Sequence, residues 1–185
     1  SVYSQPIIIN ELYNSGGNDE WLELLVLQDS LDLRNWDIRD FSSSGSGQQP
    51  LVFSNNSLWS NIKKGTVIII ARPENAFSED LDPSDFLLII KSSNALYFSG
   101  NVFLIAGSSE AVQIRNTSQS HIFGVSWGSA NLNSLPQPKV HLTGTSSSNT
   151  SVFFKEDSTP EIIVAANWTM NGTPTMGFGN TAINV

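Results

Sequence analysis

The pentapeptide Gly124-Val125-Ser126-Trp127-Gly128 has the Gly-x-Ser-x-Gly spacing of a nucleophile elbow, on which a hydrolase lifts a serine hydroxyl above a parallel sheet. An elbow needs a helix after its strand. Here Ser134-Leu135-Pro136-Gln137-Pro138 follows shortly, and its prolines exclude a continuing helix. The only imidazole downstream of Ser126 is His141. The expectation is therefore a strand-end turn, with no catalytic residue assigned. His121 and His141, the two histidines of the chain, lie twenty residues apart without a third nitrogen or sulfur ligand, a poor zinc signature. The chain has no cysteine, which removes disulfides, cysteine-zinc sites and thiol catalysis together.

Carboxylates are the second source of chemistry. Of 17 acidic residues, thirteen fall within 11–40 or 74–85, so they are grouped rather than spread. The run Glu79-Asp80-Leu81-Asp82-Pro83-Ser84-Asp85 puts Glu79, Asp80, Asp82 and Asp85 on one loop, hard oxygen donors of the kind Ca²⁺ takes. It lacks EF-hand order and its glycine, so a solvated acidic loop is the competing expectation. A second candidate set combines Asn10, Glu11, Asp19, Glu20 and Glu23. No other cofactor is expected. A glycosidase needs two carboxyl groups flanking a bond in one cleft, and nothing in the string brings such a pair together. Trp59, Trp127 and Trp168 each neighbour Ser, Asn, Thr or Gly, which suggests loop rims where a ring could stack on sugar or anchor a partner. The alternative is a ring folded back over the end of the core.

The elements that must position these groups follow from composition and rhythm. Nine basic residues against 17 acidic give a net charge of −8, which argues against binding a nucleic-acid backbone. No apolar run reaches the roughly 20 residues of a membrane-spanning helix, and Ser1 opens no signal peptide. The chain is expected to be a soluble, mature domain already trimmed of its leader. Ser, Thr and Asn contribute 28, 10 and 18 residues, types that favour turns and half-exposed strands over helical surfaces. Short apolar runs alternate with turn clusters throughout. Strands are expected at 6–13, 20–27, 31–38, 51–53 and 65–71, then at 86–90, 95–98, 102–106 and 112–114. Further strands are expected at 122–127, 140–142, 152–154 and 162–165, with a loop and one helical turn over 73–85 and a turn-rich tail over 172–180. Ten or more short strands without crossover helices predict one all-β domain over residues 1–185, a sandwich with long loop insertions.

Several motifs resemble a known family. Ile8-Ile9-Asn10-Glu11-Leu12, Glu20-Trp21-Leu22-Glu23-Leu24 and Leu31-Asp32-Leu33-Arg34-Asn35-Trp36-Asp37-Ile38-Arg39-Asp40 resemble, in that order, the opening of lamin-tail domains. Ile62-Lys63-Lys64-Gly65-Thr66-Val67-Ile68-Ile69 continues the resemblance. Gly172-Thr173-Pro174-Thr175-Met176-Gly177-Phe178-Gly179-Asn180 is similar to the family's closing motif, with Thr175-Met176 inserted before the glycine. Residues 71–164 match only in rhythm. The resemblance implies an immunoglobulin-like β-sandwich without its own catalytic site, a bacterial secreted or cell-envelope module that attaches or positions something by protein–protein contact.

The residues leave two rivals open: a carbohydrate-binding module using Trp59, Trp127 and Trp168, and a Ca²⁺-stabilised adhesion module. The motif residues are read as structural. Trp21 and Trp36 are expected to fill the space between sheets, while Glu11 and Glu23 are expected to hold loop amides or to pair with Arg34 or Arg39. Five Asn-x-Ser/Thr sites, at Asn55, Asn116, Asn149, Asn167 and Asn171, matter only on a glycosylating secretory route.

Overall fold

The computed structural model describes residues 5–101, 103–129, 134–155 and 161–177. Among the described residues, twelve strands form two mixed six-stranded sheets packed as a β-sandwich, consistent with an immunoglobulin-like architecture. One sheet contains β1 (Ile7–Asn14), β2 (Trp21–Val26), β5 (Val67–Ala71), β6 (Leu87–Lys91), β11 (Thr150–Phe154) and β12 (Trp168–Gly172). Its order is β12-β11-β1-β2-β5-β6, and it is called the first sheet below. The second sheet contains β3 (Asp37–Asp40), β4 (Leu51–Phe53), β7 (Phe98–Gly100), β8 (Glu110–Arg115), β9 (His121–Trp127) and β10 (Lys139–Leu142). Its order is β10-β9-β8-β3-β4-β7.

Alternation along each strand assigns the two faces. Leu12, Leu22, Leu24, Ile68, Ile70, Leu88 and Ile90 of the first sheet meet Val112, Ile114, Phe123, Val125, Val140 and Leu142 of the second, all buried in one apolar cluster. Two pairs are parallel, β5 with β6 and β9 with β10. They are joined through residues 72–86 and 128–138, and no α-helix occurs among the described residues. A 3-10 turn at Pro83–Asp85 lies where a helical turn is expected, capped by the Asp82 side chain. Among the described residues no helix is long and apolar enough to cross a membrane.

Four expected strands take a different form, the simplest being 95–98, where residues 95–97 turn and β7 starts only at Phe98. Phe103 and Ile105 are buried and Leu104 is exposed, the alternation of a strand, yet no ladder forms there. The Leu104 N–H donates to the Asp40 carboxylate and the Ala106 N–H to Glu110, so side chains satisfy the backbone in place of a neighbouring strand. Val102 of that run lies outside the described residues. Residues 162–165 turn instead of extending, and the strand starts at Trp168. Leu31 makes only an isolated bridge to Ile62, with the ladder delayed to Asp37.

Candidate functional site

The outer face of the first sheet carries the most elaborate side-chain arrangement. Register shifts between Ile9 and Glu11 where β1 pairs β2, a bulge that leaves Asn10 as the extra residue. The Asn10 amide then donates to Glu23 Oε1 at 2.6 Å. Glu11 and Glu23 are directly opposite across the two strands, and both are buried. Like charges so placed are unfavourable unless satisfied, and the satisfaction comes from the far end of the chain. The Thr175 N–H donates to Glu11 Oε1 at 3.0 Å, the Thr175 hydroxyl to Oε2 at 2.5 Å, and the Gly177 N–H to Glu23 Oε2 at 2.8 Å. Residues 173–177 therefore run as a strap over β1 and β2. Burial pushes the Glu23 carboxyl up to about 7, with Glu11 adding to the rise, and burial also raises Glu11.

Beside the strap lies a cleft of about 510 Å³ lined by Tyr13, Asp19, Trp21, Asn75, Ala76, Phe77, Pro174, Thr175 and Met176. Tyr13 and Trp21 form its floor, stacked at 5.4 Å between ring centroids. Each wall has an identifiable cause. Asn75 is buried; its amide donates to the Asp19 carbonyl at 2.7 Å, and its side-chain oxygen accepts the Phe77 N–H at 2.9 Å. That Asx turn fixes Phe77 at the rim, and the Lys91 ammonium holds the Asn75 carbonyl from below. The opposite wall, Pro174 to Met176, is held by Glu11 and Glu23. Three segments far apart in sequence thus meet in one aromatic, half-open cleft. Its electrostatics are negative: burial raises the Tyr13 hydroxyl, and the Asp19 and Glu20 carboxylates push it further.

Trp21 corrects an expectation. It is buried, but Leu22, Leu24 and Val26 take the inter-sheet side of β2, which leaves Trp21, Glu23 and Leu25 on the outer side beneath the strap and the 72–82 loop. Trp36 is only partly buried, packed against the core at the entry to β3. Of the contacts expected for Glu11 and Glu23, the loop-amide option is the one observed. Arg34 instead pairs with Asp32 at 2.6 Å, and Arg39 donates to Gln113 at 3.1 Å.

The tryptophans read from sequence as rim residues all point inward. Trp59 and Trp127 are fully buried and Trp168 is 5% exposed, so no ring presents a face for sugar stacking. Each indole N–H finds a carbonyl: Trp59 that of Tyr97 at 2.9 Å, Trp127 that of Gly107 at 3.1 Å, Trp168 that of Ile162 at 2.7 Å. The polar neighbours that suggested a rim are the turns that close over these rings. Trp59, for example, packs edge-on against Phe53 at 4.9 Å behind an Asn56-capped turn.

The acidic loop is likewise committed locally. Glu79 accepts the Lys91 N–H at 2.8 Å, Asp80 the Asp82 N–H at 3.1 Å, Asp82 the Ser84 N–H at 2.9 Å, and Asp85 the Leu87 N–H at 3.0 Å. The hydrogen bond to Ser84 holds Asp82 below the usual carboxylate range. Asp80 also bridges the backbone of Ile89, so the loop covers the free edge of β6. Among the described residues no three His, Asp or Glu side chains converge as metal ligands would.

Ser126 and His141 do come together. Ser126 Oγ lies 2.8 Å from His141 Nδ1, because β9 and β10 run parallel with those two residues in register. The serine sits within β9, fully buried, rather than at an exposed turn. Burial, and then Lys139, lowers the His141 pKa. His121 is bonded by Gln113 on one nitrogen and by the Pro138 carbonyl on the other, each at 2.8 Å.

No known protein family, curated protein or solved structure matches the chain. The lamin-tail resemblance rests on the quoted motifs, and two of those motifs, the early glutamates and the closing Thr-Pro segment, are in hydrogen-bond contact in this fold.

Proposed function

We propose that this chain is a non-catalytic attachment module of a secreted or cell-envelope protein, acting by protein–protein contact through the Tyr13–Trp21–Phe77 cleft. The observation that carries this reading is the construction of the cleft. Its floor is the half-buried Tyr13 ring, fixed by stacking on the buried Trp21, one wall is an Asx turn locked to Asp19, and the other is a strap held by two buried carboxylates. Pre-organised aromatic surface of this kind binds with little ordering entropy lost. The cleft also suits an extended peptide better than a bulky fold, since its two walls face each other across Tyr13 and Trp21, which pair on neighbouring strands.

Selection of displayed random peptides on the immobilised protein, with the Phe77→Ser/Met176→Ser variant as counter-target, tests this. Peptides that bind the native protein and lose binding to the variant support it. Absence of enrichment over bare matrix refutes the cleft as a contact site. Turnover of ester substrates that disappears in Ser126→Ala would refute the non-catalytic part.

A further inference from the structure

Resting on the cleft as the contact site, we infer that it takes a lysine or arginine side chain carried by an extended, otherwise apolar segment of the partner protein. The argument is charge and shape together. Asp19 lies at the rim, exposed, and its carboxylate has no ion pair among the described residues. The neighbouring acids have other commitments: Glu20 and Glu74 share Arg72, at 3.3 and 3.6 Å, and Glu11 and Glu23 lie under the strap. Two cations are near. Arg72 is occupied by those acids and by the Phe103 and Asn18 carbonyls, and Lys91 by the Asn75 carbonyl. The excess charge facing the opening is therefore negative, and Asp19 is the acceptor left over. Around it stand the half-buried rings of Tyr13 and Phe77 and the Met176 side chain, a lining that accepts the methylene stem of Lys or Arg and attracts its charged head. An acidic or phosphorylated segment meets repulsion at the same place.

The test is a titration of isotope-labelled protein with Ac-Val-Lys-Val-NH2, monitored at the Trp21 indole and the Tyr13 and Phe77 rings. Parallel titrations use the arginine, norleucine and glutamate counterparts, and the lysine peptide is repeated on Asp19→Asn and, as a distant acid, Asp85→Asn. The expected result is saturable shifts at those three rings with the lysine and arginine peptides, at least tenfold weaker binding of norleucine, and none of glutamate. Asp19→Asn is expected to weaken the lysine peptide about tenfold while Asp85→Asn leaves it unchanged. Equal binding of norleucine and lysine overturns the cation assignment but leaves the cleft as a peptide site. Equal loss in both variants reduces the effect to the overall acidity of the protein and overturns it too. No shift at any of the three rings with any peptide at millimolar concentration removes the cleft itself, and the proposed function with it.

Discussion

The two outer faces of the sandwich solve the same problem in opposite ways. On the first sheet, Glu11 and Glu23 are buried beneath the chain's own later segment and accept hydrogen bonds from the backbone amides of Thr175 and Gly177. On the second sheet, Asp37, Arg39, Gln113, Arg115 and His121 lie side by side across the strands and satisfy one another, and His141 pairs with Ser126. Arg115 holds both oxygens of Asp37 at 2.8 and 2.9 Å, Arg39 bonds Gln113, and Gln113 bonds His121. Three of the nine basic residues, Arg39, Arg115 and Lys139, and both histidines belong to this second face. The first face gathers the carboxylates. The ladder of the second face largely satisfies itself, with Leu135 packed on Ala111 and the Pro138 carbonyl on His121, whereas the paired carboxylates of the first face take backbone amides from the strap. The strap over the first face supplies those amides, and the cleft of Tyr13 and Phe77 forms beside it.

The largest effect that would sharpen this contrast is at the buried ion pair of the second face. Arg115→Ala leaves Asp37 buried without its partner and is expected to cost about 3 kcal/mol in chemical denaturation. Arg115→Ala/Asp37→Ala together should recover part of that loss. Next comes pH. Because the native Glu23 carboxyl titrates at about 7 against an ordinary 4.5, the folded state holds a proton that the unfolded chain releases. Stability is therefore expected to fall as pH rises from about 4.5 to 7, by up to about 3 kcal/mol for this group. Glu11, Glu20 and Glu110, all raised by burial, act in the same direction. Urea titrations at pH 5 and pH 7.5 on the native protein and Glu23→Gln measure it; a flatter pH dependence in the variant is the expected outcome, and an unchanged one breaks the contrast.

Smaller is the anchor of the strap. Thr175→Val removes the hydroxyl that Glu11 accepts at 2.5 Å and is expected to cost about 1–2 kcal/mol. It should also hasten proteolysis near Met176 without altering the second face. Smallest is Ser126→Ala, which removes one hydrogen bond to His141 and is expected to cost about 1 kcal/mol with no change in any background esterase activity.

How far the sequence could be read depends on range. Apolar runs such as Ile7-Ile8-Ile9 and Val67-Ile68-Ile69-Ile70 announce strands because a locally buried ladder requires them. The 103–106 segment carries the same alternation without a ladder, since Asp40 and Glu110 supply its acceptors, and no local pattern reveals that. Likewise, Glu11 is legible as a residue that binds an amide, but the amide belongs to Thr175, 164 positions on. The tryptophans mislead for a related reason. Small polar neighbours mark a turn, and a turn can close over a ring as readily as expose it. Tyr13, Phe77 and Met176 carry no shared signal at all; only the bulge at Asn10 and the Asx turn at Asn75 bring them together.

The placement of β1 between β2 and β11 governs the order in which the molecule can be assembled. One of its edges can be closed as soon as β2 exists, but the other waits for Thr150–Phe154, nearly the whole described length away. Until then Ile7 to Asn14 presents open backbone donors and acceptors along an apolar strand, the kind of edge that recruits a second chain. Pairing with Thr150–Phe154 is thus also the step that closes this edge of β1 to copies of the chain, and folding dominated by such distant pairings is slow.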